Sequence, residues 1–214
     1  MAIGSTGRVI KISWSGVMTA LAVCVFFYLV ARFLAFQLPG VTRHGDKNWA
    51  FILHVIGGSV VLVLGPFQFI ATIRNSFRKY HRWAGYAFVA GTLAAFIGFW
   101  ALQPVQRDIF RASQATAISL WFLAMVAAVL AARRKRLLTH QHNMARAFVI
   151  AAYFVVVRIM DPWAMDMIEP WLSKSKDAAL AHSDWIAWIV PLLAVELYYG
   201  RKWDDLLKRR ERVT

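Results

Sequence analysis

The sequence predicts an all-α, polytopic membrane fold: a single integral membrane domain of six transmembrane helices with both termini in the cytoplasm. Three observations carry that expectation. Of 214 residues, 59% are hydrophobic and 17% charged, against about 45–50% and 25% in soluble domains. Six apolar stretches, at 14–36, 49–73, 83–103, 115–132, 144–161 and 185–200, each approach the ~20 residues a helix needs to cross about 30 Å of hydrocarbon. The 25 Lys and Arg, set against 11 Asp and Glu for a net charge of +14, are divided unevenly between the two sides of those stretches. This composition excludes a disordered chain, a collagen-like repeat and an ordinary soluble domain, and the lone Cys24 excludes an intramolecular disulfide.

Backbone groups in lipid must be satisfied within their own segment, so the stretches are read as helices rather than strands. The first follows Arg8 and Lys11 as a signal peptide would, but it is too long for an apolar h-region and lacks a small-residue cleavage site. It is read as a true span. The second enters at Trp49 and carries Gly65-Pro66, where the missing N–H predicts a kink that frees carbonyls near Gln68. The third follows His81-Arg82, and the fourth is short and alanine-rich. The fifth opens behind "HQHNMARAF" and closes at Asp161, immediately before Pro162. The longest loop, 162–184, then leads into the sixth. Trp14, Trp49, Trp83, Trp163, Trp171 and Trp185 stand near segment ends, where amphipathic rings favour the headgroup level.

Sorting the charges by side gives the orientation. The N-terminus, the 74–82 and 133–146 loops and the tail from Arg201 hold 17 of the cations, while the other three loops hold 6. The positive-inside rule then predicts a bacterial cytoplasmic (inner) membrane protein with both termini inside. The basic loops can touch anionic lipid. No basic module stands outside the spans and loops, so nucleic acid is not an expected partner. The lipid bilayer is, and a membrane-protein partner or a homo-oligomer is also allowed.

Ionisable side chains at membrane depth are expensive and are functional hypotheses by default. An outer layer contains Arg32, His54 and Arg158, with Asp161 as a partner for either arginine. The bland account has both arginines snorkelling to the headgroups and His54 capping a helix–helix contact. The functional one has the three attracting a small anion. An inner layer contains Gln68, His81, Arg82, His140, His142, Arg146 and Glu196. Helical spacing puts His140 with Met144 on one face and His142 with Arg146 on another, and His142 and Arg82 are read as hydrated headgroup-zone residues.

Three chemistries fit the inner layer. A b-type haem needs two imidazoles at equal depth on facing helices, which His81 and His140 supply, with Gln68 and Arg146 beside them. A second haem would need His54 with His44 or His182. Gly57, Gly58, Gly65, Gly85, Gly91 and Gly98 give room for a macrocycle or, equally, for close helix packing. A metal site could draw on His81, His140 and Glu196, although no HxxxH or HExxH spacing supports it. A proton or polar-substrate path through both layers is the third.

The same residues resemble a bacterial multi-pass membrane family catalogued as a domain of unknown function. The likeness rests on "LHVIGGSVVLVLGPFQF", "HRWAGYAFV" and "HQHNMARAF". It matches His54, Gly65-Pro66-Phe67-Gln68-Phe69, His81-Arg82-Trp83, His140, Met144, Arg146 and Arg158, and Pro191 and Glu196 look like the family's ending. Asn143 departs from it, standing where members usually have Trp. The resemblance implies a membrane fold and narrows attention to His54, Gln68, His81, His140, Arg146, Arg158 and Glu196, and it implies no activity. The leading expectation is a cytochrome-like electron carrier with b-type haem on His81 and His140. The rivals are a transporter or binding protein for a small anion, and an accessory subunit of a larger membrane complex.

Overall fold

The structure is a computed structural model that describes residues 27–28, 30–31, 35, 46–102, 109–172 and 176–211, with backbone alone for 72, 109–111, 158–170, 172, 176–180 and 207–211. Most of the expected first span, including Arg32, and His44 lie outside the described residues, as do the side chains of Arg158 and Asp161. The described chain is helical, with no strand among the described residues. In order the helices are α1 (Asn48–Phe69), α2 (Ala71–Ser76), α3 (Arg78–Leu102), α4 (Ile109–Arg133), α5 (Leu137–Leu172) and α6 (Lys176–Glu211).

Three of them are long and apolar enough to cross a membrane among the described residues: Asn48–Phe69, Arg78–Leu102 and Ala112–Arg133. The burial pattern agrees. Many interior positions are alanine, including Ala50, Ala84, Ala95, Ala117, Ala128, Ala147 and Ala151, and they lie beside large buried side chains such as Phe88, Trp121 and Tyr153. Larger aliphatics such as Ile56, Leu93, Leu123, Val190 and Leu197 face outward. Lipid tails are as apolar as leucine, so the surface can carry large apolar groups while close helix contacts select small ones. Rings mark the ends: Trp49 and Trp100 are exposed at one end of the α1–α3 pair, and Phe69, Trp83 and Tyr86 at the other.

The antiparallel α1–α3 pair is the closest. A Cβ on Gly57 would lie 2.5 Å from the Gly91 carbonyl oxygen and 2.6 Å from the Ala95 nitrogen, so this contact is backbone against backbone. Lys47 donates from Nζ to the Ala101 carbonyl at 3.1 Å, satisfying one of the free acceptors at the end of α3. α1 runs through Pro66 and breaks at Ile70, which is extended (φ −73, ψ 113), so the helix stops short of residue 73, where the apolar stretch ends. The interruption is therefore a break in the helix after Phe69, and the short α2 turns the chain into α3.

α4, α5 and α6 pack on the first pair through one apolar core. Phe96 of α3 stacks on Phe122 of α4 at 4.4 Å, and Trp121 and Phe154 meet across α4 and α5. Trp188 donates to the Ser113 hydroxyl at 3.0 Å and ties α6 to the start of α4. Phe27 stacks on Phe67 at 5.8 Å, which sets part of the first segment against α1.

The 162–184 segment, expected as a loop, instead continues α5 to Leu172 and begins α6 at Lys176. Each helix has 36 residues, about 54 Å at 1.5 Å per residue, which exceeds the hydrocarbon thickness. The polar composition there does not end the helix, because helical backbone bonds need no apolar side chains. The α4–α5 turn closes by Arg136 N–H to the Ala131 carbonyl (2.9 Å) and Lys135 N–H to the Ala132 carbonyl (3.0 Å), a Schellman pair. That motif puts its penultimate residue in the left-handed region, and Lys135 has φ 57, at a cost of about 1–2 kcal/mol that glycine would avoid.

Candidate functional site

The basic loops at 74–82 and 133–136 and the α6 tail share one end of the bundle, the basic end. The sequence-expected inner residues gather there, and His54 lies toward the other end.

His54 sits in the second turn of α1. Its Nδ1–H donates to the Ala95 carbonyl of α3 at 2.8 Å, and Phe99 and Phe154 flank its ring at about 6 Å. Gly98 allows this, since its backbone lies against the His54 nitrogen. The geometry makes His54 a tie between helices, the bland account of it. His182, its suggested haem partner, is exposed on α6.

At the basic end, α4 and α5 form a hairpin, and His140 on the first turn of α5 reaches back to α4. Its Nδ1–H donates to the Ala128 carbonyl at 2.9 Å. That bond fixes the tautomer and leaves Nε2 with a free lone pair, the arrangement found in metal-bound histidines. His81 stands on the first turn of α3, at the same end of the bundle. Its Nδ1 is buried without a hydrogen-bond partner, and so is Nε2 of Gln68 on the last turn of α1. Unmet polar atoms of this kind are costly in a dry setting.

Beside this pair, α5 and α6 are joined by a polar cluster. Arg146 holds Glu196 in a two-pronged contact, Nε to Oε1 and Nη2 to Oε2, both at 2.5 Å. Its Nη1 donates to Asn143 Oδ1 at 2.9 Å, and Asn143 Nδ2 donates to the Thr139 carbonyl at 3.0 Å. His142 Nε2 is 3.2 Å from Glu196 Oε2, at ion-pair range but off the line of a hydrogen bond. Its ring lies flat on Tyr199 at 4.5 Å and 7°, with the Lys202 ammonium 5.5 Å from the centroid of the same tyrosine.

The structure thus corrects the reading of His142, expected among hydrated headgroup-zone residues. It is half-buried and built into the α5–α6 contact, whereas Arg82 is exposed. The signal is present in the spacing. His142 with Arg146 at i, i+4, and Glu196 with Tyr199 at i, i+3, define one face on each helix, but their meeting depends on how the helices pack. The proposed metal set of His81, His140 and Glu196 is not assembled, because Glu196 is engaged by Arg146 and His142. Among the described residues no group of three or more His, Cys, Asp or Glu is placed to hold a metal ion.

His142 has a pH consequence. Burial, followed by the Arg146 charge, pushes its imidazole below the ordinary histidine range, with Glu196 offsetting part of that shift. The folded protein therefore resists protonation more than the unfolded chain does. Stability is complete above the unfolded value of about 6.5 and falls as pH drops below it toward the lower folded value. Thermal unfolding in detergent between about pH 7.5 and 5.5, which brackets that value, is expected to show a loss that is smaller in His142→Phe, which keeps a ring against Tyr199. An equal loss in both proteins would remove His142 as its source.

A family model described as a predicted membrane protein, of unknown function, matches residues 51–199 of the chain. The match takes in the polar residues above from His54 to Tyr199 and leaves Lys202 just outside it. Neither the curated proteins nor the solved structures contain a match.

Proposed function

The chain belongs to this family, DUF2306, and on that premise we propose that it is an electron carrier of the bacterial cytoplasmic membrane, with a b-type haem at its basic end. His81 and His140 would hold the iron, and the bound group would supply one-electron chemistry. The observation that carries this reading is the His140 tautomer: Nδ1–H spent on the Ala128 carbonyl, Nε2 left as a ligand. The unpartnered Nδ1 of His81 and Nε2 of Gln68 add to the fit, since both lie buried with bonding capacity unspent. The chain's own contribution is to hold His140 in one tautomer from α4. The concentration of cations at this end favours a cytoplasmic location for it and for both termini.

The anion-binding alternative rests on Arg32, His54 and Arg158. His54 serves it poorly, because its Nδ1–H is engaged by α3 and its ring by Phe99 and Phe154. An accessory subunit would be colourless and would purify with its partner complex. Absorption spectra of protein purified in mild detergent, oxidised and then dithionite-reduced, separate these readings. The haem reading expects a Soret band that is lost in His81→Ala and in His140→Ala. Colourless wild-type protein, or a band indifferent to both substitutions, overturns it.

A further inference from the structure

We propose that the basic end carries a binding surface for the phosphates of anionic phospholipid, centred on Lys135 in the α4–α5 turn. The proposal is independent of the haem reading. Arg134, Lys135 and Arg136 form the tip of that turn, and Arg78, Lys79 and Arg82 stand exposed at the start of α3. Among the described residues none of the six is seen in an ion pair, and the carboxylate of Glu196 is taken by Arg146 and His142. α3 and α4 are consecutive helices in contact through Phe96 and Phe122, so the start of α3 and the turn after α4 lie at the same end of the bundle. Tyr80, Trp83 and Tyr86 are exposed on the same end of α3, which puts the cations at the level where a bilayer presents its headgroups.

Lys135 supplies the decisive point. A Schellman turn wants glycine at this position, and the chain places a lysine there in the left-handed region (φ 57). Orienting the protein during insertion requires cations in the loop but no strained conformation at any one of them. The strain is accounted for if the ammonium is used at this place in the folded protein. The charges are spread over exposed turns with no enclosing wall, which suits a surface of headgroups better than a single sequestered ion. Basic segments next to a membrane helix attract anionic lipid in this way.

The test uses the full chain in mild detergent, titrated with phosphatidylglycerol or phosphatidylcholine, with bound lipid counted by native mass spectrometry. Phosphatidylglycerol is expected to bind in preference. Lys135→Gly should unfold at a higher temperature in detergent alone, because the strain is removed, yet bind phosphatidylglycerol about five-fold more weakly, the equivalent of one surface cation. Lys135→Asn, which tolerates the same backbone without the charge, should lose the same binding. Equal binding of the two lipids, or undiminished binding by both variants, overturns the proposal. Inorganic phosphate displacing phosphatidylglycerol at low millimolar concentration would also overturn it, in favour of a soluble phosphate ligand.

Discussion

Gly57→Val is expected to destabilise the protein by on the order of 3 kcal/mol or more, because it forces two helix backbones apart. The first added carbon alone would sit 2.5 Å from the Gly91 carbonyl oxygen and 2.6 Å from the Ala95 nitrogen. Neither atom can rotate away, because both belong to the backbone of α3. The helices would have to separate along the pair, and the hydrogen bond from His54 to the Ala95 carbonyl would open with them. Gly58→Ala is the control. A Cβ at that position meets nothing within 4 Å, so this neighbour is expected to be neutral or to gain up to ~1 kcal/mol from helix propensity. Thermal unfolding in detergent should separate the two clearly. Similar melting temperatures for both would mean that α1 and α3 are not in backbone contact at Gly57.

Glu196→Ala is expected to have the second largest effect, about 1–2 kcal/mol, since hydrogen bonds to charged groups contribute roughly 1.5–3 kcal/mol when protected from water. Here the two side chains are 34% and 36% exposed, so solvent screening reduces that figure toward the lower value. The loss leaves Arg146 with Asn143 alone and releases His142 from its carboxylate neighbour. A double-mutant cycle of Arg146→Ala with Glu196→Ala should return a coupling of about 1 kcal/mol, because the two side chains share one contact. Additive effects would show that the pair contributes nothing beyond its separate parts. Arg146→Lys should recover little of the loss, since an ammonium cannot reproduce the two-pronged geometry.

These two substitutions also show how far the sequence is legible. It marks six glycines as room for close approach, but their spacing does not distinguish them. Gly57, Gly91 and Gly98 meet backbone across the α1–α3 contact, whereas Gly58 and Gly85 face open space. A glycine carries no side-chain pattern, so only the partner helix distinguishes a contact from a vacancy. Glu196 and Arg146 both stand out in the sequence as costly polar residues at the same end. Their pairing is not readable there, because they are 50 residues apart and nothing in either helix names its neighbour. His142 is hidden for the same reason, as its role comes from Glu196 and Tyr199 on another helix.

Other differences have local causes that composition does not report. The polar 162–184 segment has the composition of a loop because hydropathy marks where lipid ends, and helix and lipid need not end together. The break at Ile70 lies within an apolar stretch and follows from the turn into α2 and α3.

The all-helical membrane character, the division into a basic and an opposite end, and the places of His54, His81 and His140 along their helices can all be read from the chain alone. Those properties are sums over many residues or simple positions along a helix, and they survive any arrangement of the helices. Packing in three dimensions was needed to establish that His54 and His140 each spend Nδ1–H on a neighbouring helix, that Glu196 is taken by Arg146, and that Lys135 is held at positive φ. Such facts depend on which helices meet and at what rotation. That choice is made by packing small residues against backbone, and hydropathy and charge do not encode it.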